Sequence, residues 1–149
     1  MAEVREKIDL PVSEHVQNCA QALKLINNRS VDIFNIPVAY TGGIYSAREI
    51  FTLAKAAGIK CLIGTTQELS VGTAAQAHLG ASFAELSYCC DPVGPVLYTD
   101  DVVKSRVKYE KGHLIVPQGP GLGVELDEDK LEKLKTSLSI DLINIPSAL

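Results

Sequence analysis

Apolar residues follow two different spacings along this chain, and the way those spacings alternate sets the expected architecture. Val31, Ile33, Phe34 and Ile36 form a short, nearly continuous apolar run that reads as a buried strand, and Tyr40-Thr-Gly-Gly43 follows as a tight loop. From Ala47 the spacing changes. Ile50, Leu53, Ala54 and Ala57 recur on one helical face, and Ser46 with Glu49 three residues on has the form of a capping box. Gly58 stands where a helix closes in the left-handed conformation, and Lys60-Cys-Leu-Ile63 begins a second apolar run ended by Gly64-Thr65-Thr66. Strand, helix and strand in direct succession predict parallel pairing with the helices outside.

The same rhythm extends to both sides. Lys7 to Val12 is expected as a strand, with Ser13 capping a helix whose apolar face holds Val16, Ala20, Leu23 and Ile26. A small-residue helix runs from about Ser70 to Leu79 and ends at Gly80. Leu86-Ser-Tyr-Cys-Cys90 then forms a fourth strand, closed by Asp91-Pro92. Beyond it Arg106 to Tyr109 and Leu114 to Val116 flank Glu110-Lys-Gly-His113 as an antiparallel hairpin. Pro117 to Gly123 is irregular, and Asp127 caps a last helix whose acids lead and whose lysines trail, matching the helix dipole. The expected organisation is therefore 1–95 as βα units, 96–136 as a hairpin and helix appended to the same domain, and 137–149 as a tail. Chemistry in such folds sits in the loops after the strands' carboxyl ends.

Composition narrows the functional classes. With 46% hydrophobic and 21% charged residues the 149-residue chain is an ordinary globular domain, and a formal net charge of −4 offers no basic field to gather phosphates, so nucleic acid is not an expected partner. The four cysteines include no C-x-x-C spacing, which leaves neither a zinc site nor a disulfide framework. Met-Ala-Glu-Val-Arg-Glu-Lys has no apolar leader pattern and no run approaches a membrane span, so the expected location is cytoplasmic.

Several stretches taken together resemble a known family. Tyr40-Thr-Gly-Gly43-Ile, Gly58-Ile-Lys, Gly64-Thr-Thr-Gln-Glu-Leu-Ser70-Val-Gly-Thr73, Cys90-Asp-Pro-Val-Gly-Pro95 and Pro117 through Lys130 are similar, in unbroken order, to the carboxyl-terminal half of the muconate cycloisomerases, grouped with mandelate racemase in the enolase superfamily. The resemblance implies half of a (β/α)8 TIM-type barrel, four βα units with a C-terminal hairpin and helix, beginning at the fifth strand. It also implies isomerase or lyase chemistry, in which Mg²⁺ and an acid/base pair remove a proton beside a carboxylate. The fifth-strand metal position falls on Ser13, the sixth-strand base on Pro37, the seventh-strand base on Gly64 and the eighth-strand carboxylate on Asp91. Only Asp91 keeps a titratable group, so no metal ligand is assigned to this chain, and any Mg²⁺ ligands are expected from a partner.

Asp91 is the first catalytic candidate, as general acid or substrate acceptor, against a plain Asx-type turn before proline. Glu68, in the loop after the seventh strand, is the second, against a solvated loop carboxylate. Gly42, Gly43, Thr65 and Thr66 precede helices and are substrate-binding candidates through their N–H groups, against ordinary strand-to-helix turns. His15, His78 and His113 show no ligand spacing. Two functions compete. One is an enzyme component acting on a small carboxylate and completed by a complementary half-barrel chain or a second copy, inactive by itself; the other is a non-catalytic binding or structural half barrel. Phe34, Ile36, Leu62 and Leu86 are expected on the open inner face of the sheet.

Overall fold

The computed structural model describes residues 1–83, 86 and 88–135. In chain order the elements are α1 (Ala2–Arg5), β1 (Ser13–His15), α2 (Cys19–Asn27), β2 (Ile33–Asn35), α3 (Ile44–Ala57), β3 (Lys60–Leu62) and α4 (Ser70–Ala81). A 3-10 turn (Gly94–Val96), the β4 (Tyr109–Glu110) and β5 (His113–Leu114) pair, and α5 (Glu128–Leu134) follow. The three strands β1, β2 and β3 pair in parallel, in that order, with Ser13, Ile33 and Lys60 in register. Of the expected fourth strand, Ala84, Glu85 and Ser87 lie outside the described residues. Its end runs beside the carboxyl end of β3, because the Asp91 N–H donates to the Ile63 carbonyl at 3.2 Å and the Ile63 N–H donates to Cys90 Sγ at 3.2 Å. The 137–149 tail also lies outside the described residues.

Side-chain alternation decides where the core forms. Val12 and Val16, Phe34 and Ile36, and Cys61 and Ile63 share one face and join Ala22, Ala47, Ile50, Phe51, Ala54 and Leu79 in a single apolar cluster under the helices. The Phe51 and Phe83 rings stack there with centroids 4.5 Å apart. Burial in this layer pushes the Cys61 thiol up to about 12. This corrects the expected placement of Phe34 and Ile36. Both are fully buried on the helix side, so the opposite face carries Ser13, His15, Ile33, Asn35 and Leu62. Apolar alternation distinguishes two faces but does not say which of them the helices cover.

Helix boundaries follow caps, and two differ from expectation. Ser13 opens β1 instead of capping a helix; Asn18 is the cap of α2, accepting from the Gln21 N–H at 2.8 Å. Leu23, expected inward, is 47% exposed, whereas Ala22 is buried. The α3 helix begins at Ile44 from an N-cap at Gly43, so Ser46 and Glu49 lie inside it and no capping box forms. Gly58 closes α3 at φ 70°, as expected, whereas Gly80 lies within α4. The hairpin turns at Lys111 and Gly112, both at positive φ (49° and 79°), as a two-residue turn of the primed type requires. Asp127 caps α5 by accepting from the Lys130 N–H at 3.1 Å.

The unforeseen α1 is tied to the amino end of β2. Arg5 Nη2 lies 2.6 Å from Asp32 Oδ1, and Asp32 Oδ2 accepts from the Val12 N–H at 2.8 Å. The Arg5 guanidinium, with help from that N–H, holds the Asp32 carboxyl below its ordinary range.

Because Phe34 is fully buried in the helix-side cluster, Phe34→Ala is expected to cost about 3–5 kcal/mol of unfolding free energy in urea titrations. Tyr45→Ala, at a side chain 76% exposed, is expected to stay within about 0.5 kcal/mol of the parent. A small loss at Phe34 would place the core elsewhere.

Candidate functional site

At the carboxyl side of the sheet the end of β2, the loop after β3 and the loop at Asp91 are closely packed. Asn35, the last residue of β2, lies on the inner face by alternation, and its buried Oδ1 has no hydrogen-bond partner among the described residues. A Cβ added to Gly64 would stand 1.9 Å from that oxygen, so Asn35 fills the space that a side chain at position 64 needs. Gln76 of α4 supports the same turn from behind: its Nε2 donates to the Gly64 carbonyl at 2.9 Å, and its buried Oε1 likewise has no partner among the described residues. Neither Asn35 nor Gln76 stood out in the sequence. Asn35 was legible in principle, two residues before Pro37 and therefore on the same face.

The loop that follows β3 folds around its own carboxylate. Thr65 Oγ1 donates to Glu68 Oε2 at 2.8 Å, the Thr66 N–H donates to the same oxygen at 3.0 Å, and the Thr66 hydroxyl donates to Oε1. Gln67 bridges the turn in the left-handed region at φ 65°, with its N–H donating to Thr65 Oγ1 at 2.9 Å. Partial burial works to raise the Glu68 pKa, but the hydrogen bonds from Thr66, the loop main chain and Thr65 outweigh it and hold the carboxyl below the ordinary glutamate value. The Thr65 and Thr66 hydroxyls and the Thr66 N–H form an anion cradle. Its occupant is Glu68.

Asp91 is placed differently. It is exposed, and among the described residues its carboxylate accepts no hydrogen bond; the turn before Pro92 is closed by main chain, with the Val93 N–H donating to the Asp91 carbonyl at 2.7 Å. The Asx-type turn is not made. Three residues after Asp91, Gly94 lies against the Glu68 main chain so closely that a Cβ there would meet the Glu68 carbonyl oxygen at 1.8 Å. The Asp91 loop and the Glu68 loop are thus packed together.

Gly42 and Gly43 stand apart in the loop after β2, at φ 83° and 117°. The Gly43 N–H is spent on the Val38 carbonyl at 3.1 Å, and the Thr41 hydroxyl donates to Val38 O at 2.8 Å. Gly43 still serves as N-cap of the 14-residue α3, whose first amides have no carbonyl partner within the helix.

The family profile described as "Enolase C-terminal domain-like" matches residues 1–130. This chain belongs to that family. "Muconate cycloisomerase 1-1" of Acinetobacter lwoffii is 36% identical over 129 residues, covering 87% of this chain and 34% of its own length. "Muconate cycloisomerase 1" of Acinetobacter baylyi is 39% identical over 114 residues, covering 76% and 31%. The solved 2-chloromuconate cycloisomerase of Rhodococcus opacus 1CP superposes with a TM-score of 0.87 at 38% identity, covering 91% of this chain and 37% of that one. The N-succinyl Arg/Lys racemase of Bacillus cereus does so at 0.82 and 29% identity, covering 91% and 36%. The chain spans about a third of the length of the curated relatives it matches. As an enolase C-terminal domain-like chain it has the α/β architecture expected from the sequence, matching the carboxyl-terminal half barrel of a TIM-type enzyme.

The donors that the enolase C-terminal domain-like sheet presents do not fit Mg²⁺ by themselves. A hard dication prefers charged oxygens, yet the inner face offers the Ser13 hydroxyl, the His15 ring and the Asn35 amide. Glu14 stands on the opposite face beside Phe34, where its Oε1 accepts from the His15 N–H at 3.0 Å. Among the described residues no three His, Cys, Asp or Glu side chains form a metal cluster, and no helix is long and apolar enough to cross a membrane.

A carboxyl whose folded pKa is depressed contributes stability that is complete above its unfolded value of about 4.3 and is lost as pH falls through the folded value. Thr66→Val, which removes the hydroxyl from the Glu68 cradle, is therefore expected to reduce stability more at pH 7 than at pH 3 in paired urea titrations. Equal losses at both pH values would mean that the cradle does not favour the ionised form.

Proposed function

We propose that this chain is the carboxyl-terminal portion of a barrel enzyme performing isomerase-type chemistry on a small carboxylate, by removal or return of a proton beside that carboxylate. The observation that carries the reading is the family match over residues 1–130, together with 36% identity over 129 residues to a relative named as a muconate cycloisomerase and an open carboxylate, Asp91, in the loop beside Glu68. The roles are divided as follows. Asp91, whose carboxylate is unencumbered, takes or gives the proton or accepts a hydrogen bond from the substrate. Glu68, with both oxygens already occupied, supplies fixed charge and shape to its loop together with Thr65 and Thr66. Gly42 and Gly43 let the start of α3 approach a substrate oxygen.

Catalysis needs more than these residues. Pro37 and Gly64 carry no base at the sixth- and seventh-strand positions, and Ser13 carries no charge at the fifth. When bound, Mg²⁺ would supply charge stabilisation to an enolate; its ligands, and a second base, come from strands one to four, contributed by a preceding segment or by a complementary chain. The sheet supports this division, because among the described residues no strand pairs with the outer edge of β1 and its Ser13 and His15 are exposed.

Muconolactone, the ligand of a Pseudomonas fluorescens relative, is the probe. Incubated in D₂O with this chain alone, it is expected to gain no deuterium beside its carboxylate. Incubated with the chain co-expressed with the amino-terminal two-thirds of the Acinetobacter lwoffii relative, it is expected to exchange, and Asp91→Asn to slow that exchange by about 10²–10⁴-fold. Exchange by the isolated chain, or indifference of the completed barrel to Asp91→Asn, would overturn the assignment; no exchange by a folded, completed barrel would favour a non-catalytic half barrel.

A further inference from the structure

We propose that Asp101 is a positioning residue for the loop after β3: acting through Ser70, it fixes Glu68 inside the threonine cradle. The inference deepens the functional reading above and rests on it only in treating that loop as part of the site.

Asp101 lies far from the loop in sequence and is 3% exposed. Its Oδ2 accepts from Ser70 Oγ at 2.6 Å and from the Ser70 N–H at 3.2 Å, and its Oδ1 accepts from the Val102 N–H at 2.7 Å. Ser70 is fully buried and passes the link on, its Oγ accepting from the Val107 N–H at 3.2 Å. Among the described residues no lysine, arginine or histidine pairs with this carboxylate. Its burial is offset by donors at the amino end of the 12-residue α4, where the helix dipole is positive. Asp101 therefore clamps the first residue of α4 by both its main chain and its side chain.

Glu68 has little freedom once Ser70 is held. Leu69 alone lies between them, and the Glu68 carbonyl accepts from Thr73 Oγ1 at 3.1 Å, within the same first turn of α4. Its stem packs on Gly72, where a Cβ would meet Glu68 Cβ at 2.6 Å, and its carbonyl packs on Gly94. A shift of the first turn of α4 moves the Glu68 stem relative to Thr65 and Thr66, whose three donors must converge on one carboxylate. The serine and aspartate that start α4 correctly are thus the groups that aim Glu68 into its cradle.

The test is the titration of the Glu68 side-chain carboxyl carbon by NMR in the 149-residue chain. The parent midpoint is expected below the ordinary glutamate value, and Asp101→Asn and Ser70→Ala are each expected to move it up toward about 4.3. Ile50→Val, which loosens the core from the helix side without touching the loop, is expected to leave it unchanged. Where Asp101→Asn does not fold, Ser70→Ala decides, since it keeps the Ser70 N–H bond and removes only the hydroxyl. A midpoint unmoved by the loop variants that fold, or moved equally by Ile50→Val, would show that Asp101 contributes to stability alone and would overturn the proposal.

Discussion

Everything in this structure depends on which side of β2 faces the helices. A strand gives successive side chains to opposite faces, so burying Phe34 and Ile36 under α2 and α3 commits Ile33, Asn35 and Pro37 to the other side. That commitment propagates through the register to Ser13 and His15 on one neighbour and to Leu62 on the other. It also explains why position 64 is glycine: Asn35 projects across to β3 and occupies the volume where a side chain at 64 would start. Exchange of one apolar face for the other would put two large side chains in the barrel interior and leave the helices nothing to cover.

The loop after β3 shows a second constraint, the satisfaction of a partly buried charge. Glu68 is held ionised by two threonine hydroxyls and a main-chain N–H, an arrangement that needs the left-handed Gln67 and two side-chain-free neighbours, Gly72 and Gly94. Among the described residues, Asp91 in the adjoining loop has no such donors. Two carboxylates on one side of the sheet are thereby given different characters by their surroundings, one fixed and one open.

Much of this was legible in the sequence, and the exceptions have physical reasons. The βα rhythm, the Gly58 closure, the hairpin around Lys111-Gly112 and the Asp127 cap are local, and local chemistry can be read from adjacent residues. The first strand was displaced because Lys7 to Val12 is apolar enough to suggest pairing, whereas the sheet register places pairing at Ser13 to His15. The capping box at Ser46 and Glu49 failed because Gly43, at φ 117°, had already started the helix one turn earlier. The Arg5–Asp32 pair and the Asp101–Ser70 clamp join residues 27 and 31 positions apart, and no short-range pattern marks such partners. The use of the Thr65 and Thr66 hydroxyls to hold Glu68 required the fold of the turn.

The central claim is that this sheet is one half of a closed barrel, with its inner face and β1 edge completed by strands that these residues do not supply. Sedimentation equilibrium of the 149-residue chain tests it most directly. Association beyond the 16.0 kDa chain mass at micromolar concentration, dissolving only with loss of cooperative unfolding, is the expected result. A single species at 16.0 kDa that still unfolds cooperatively when diluted well below micromolar would contradict it.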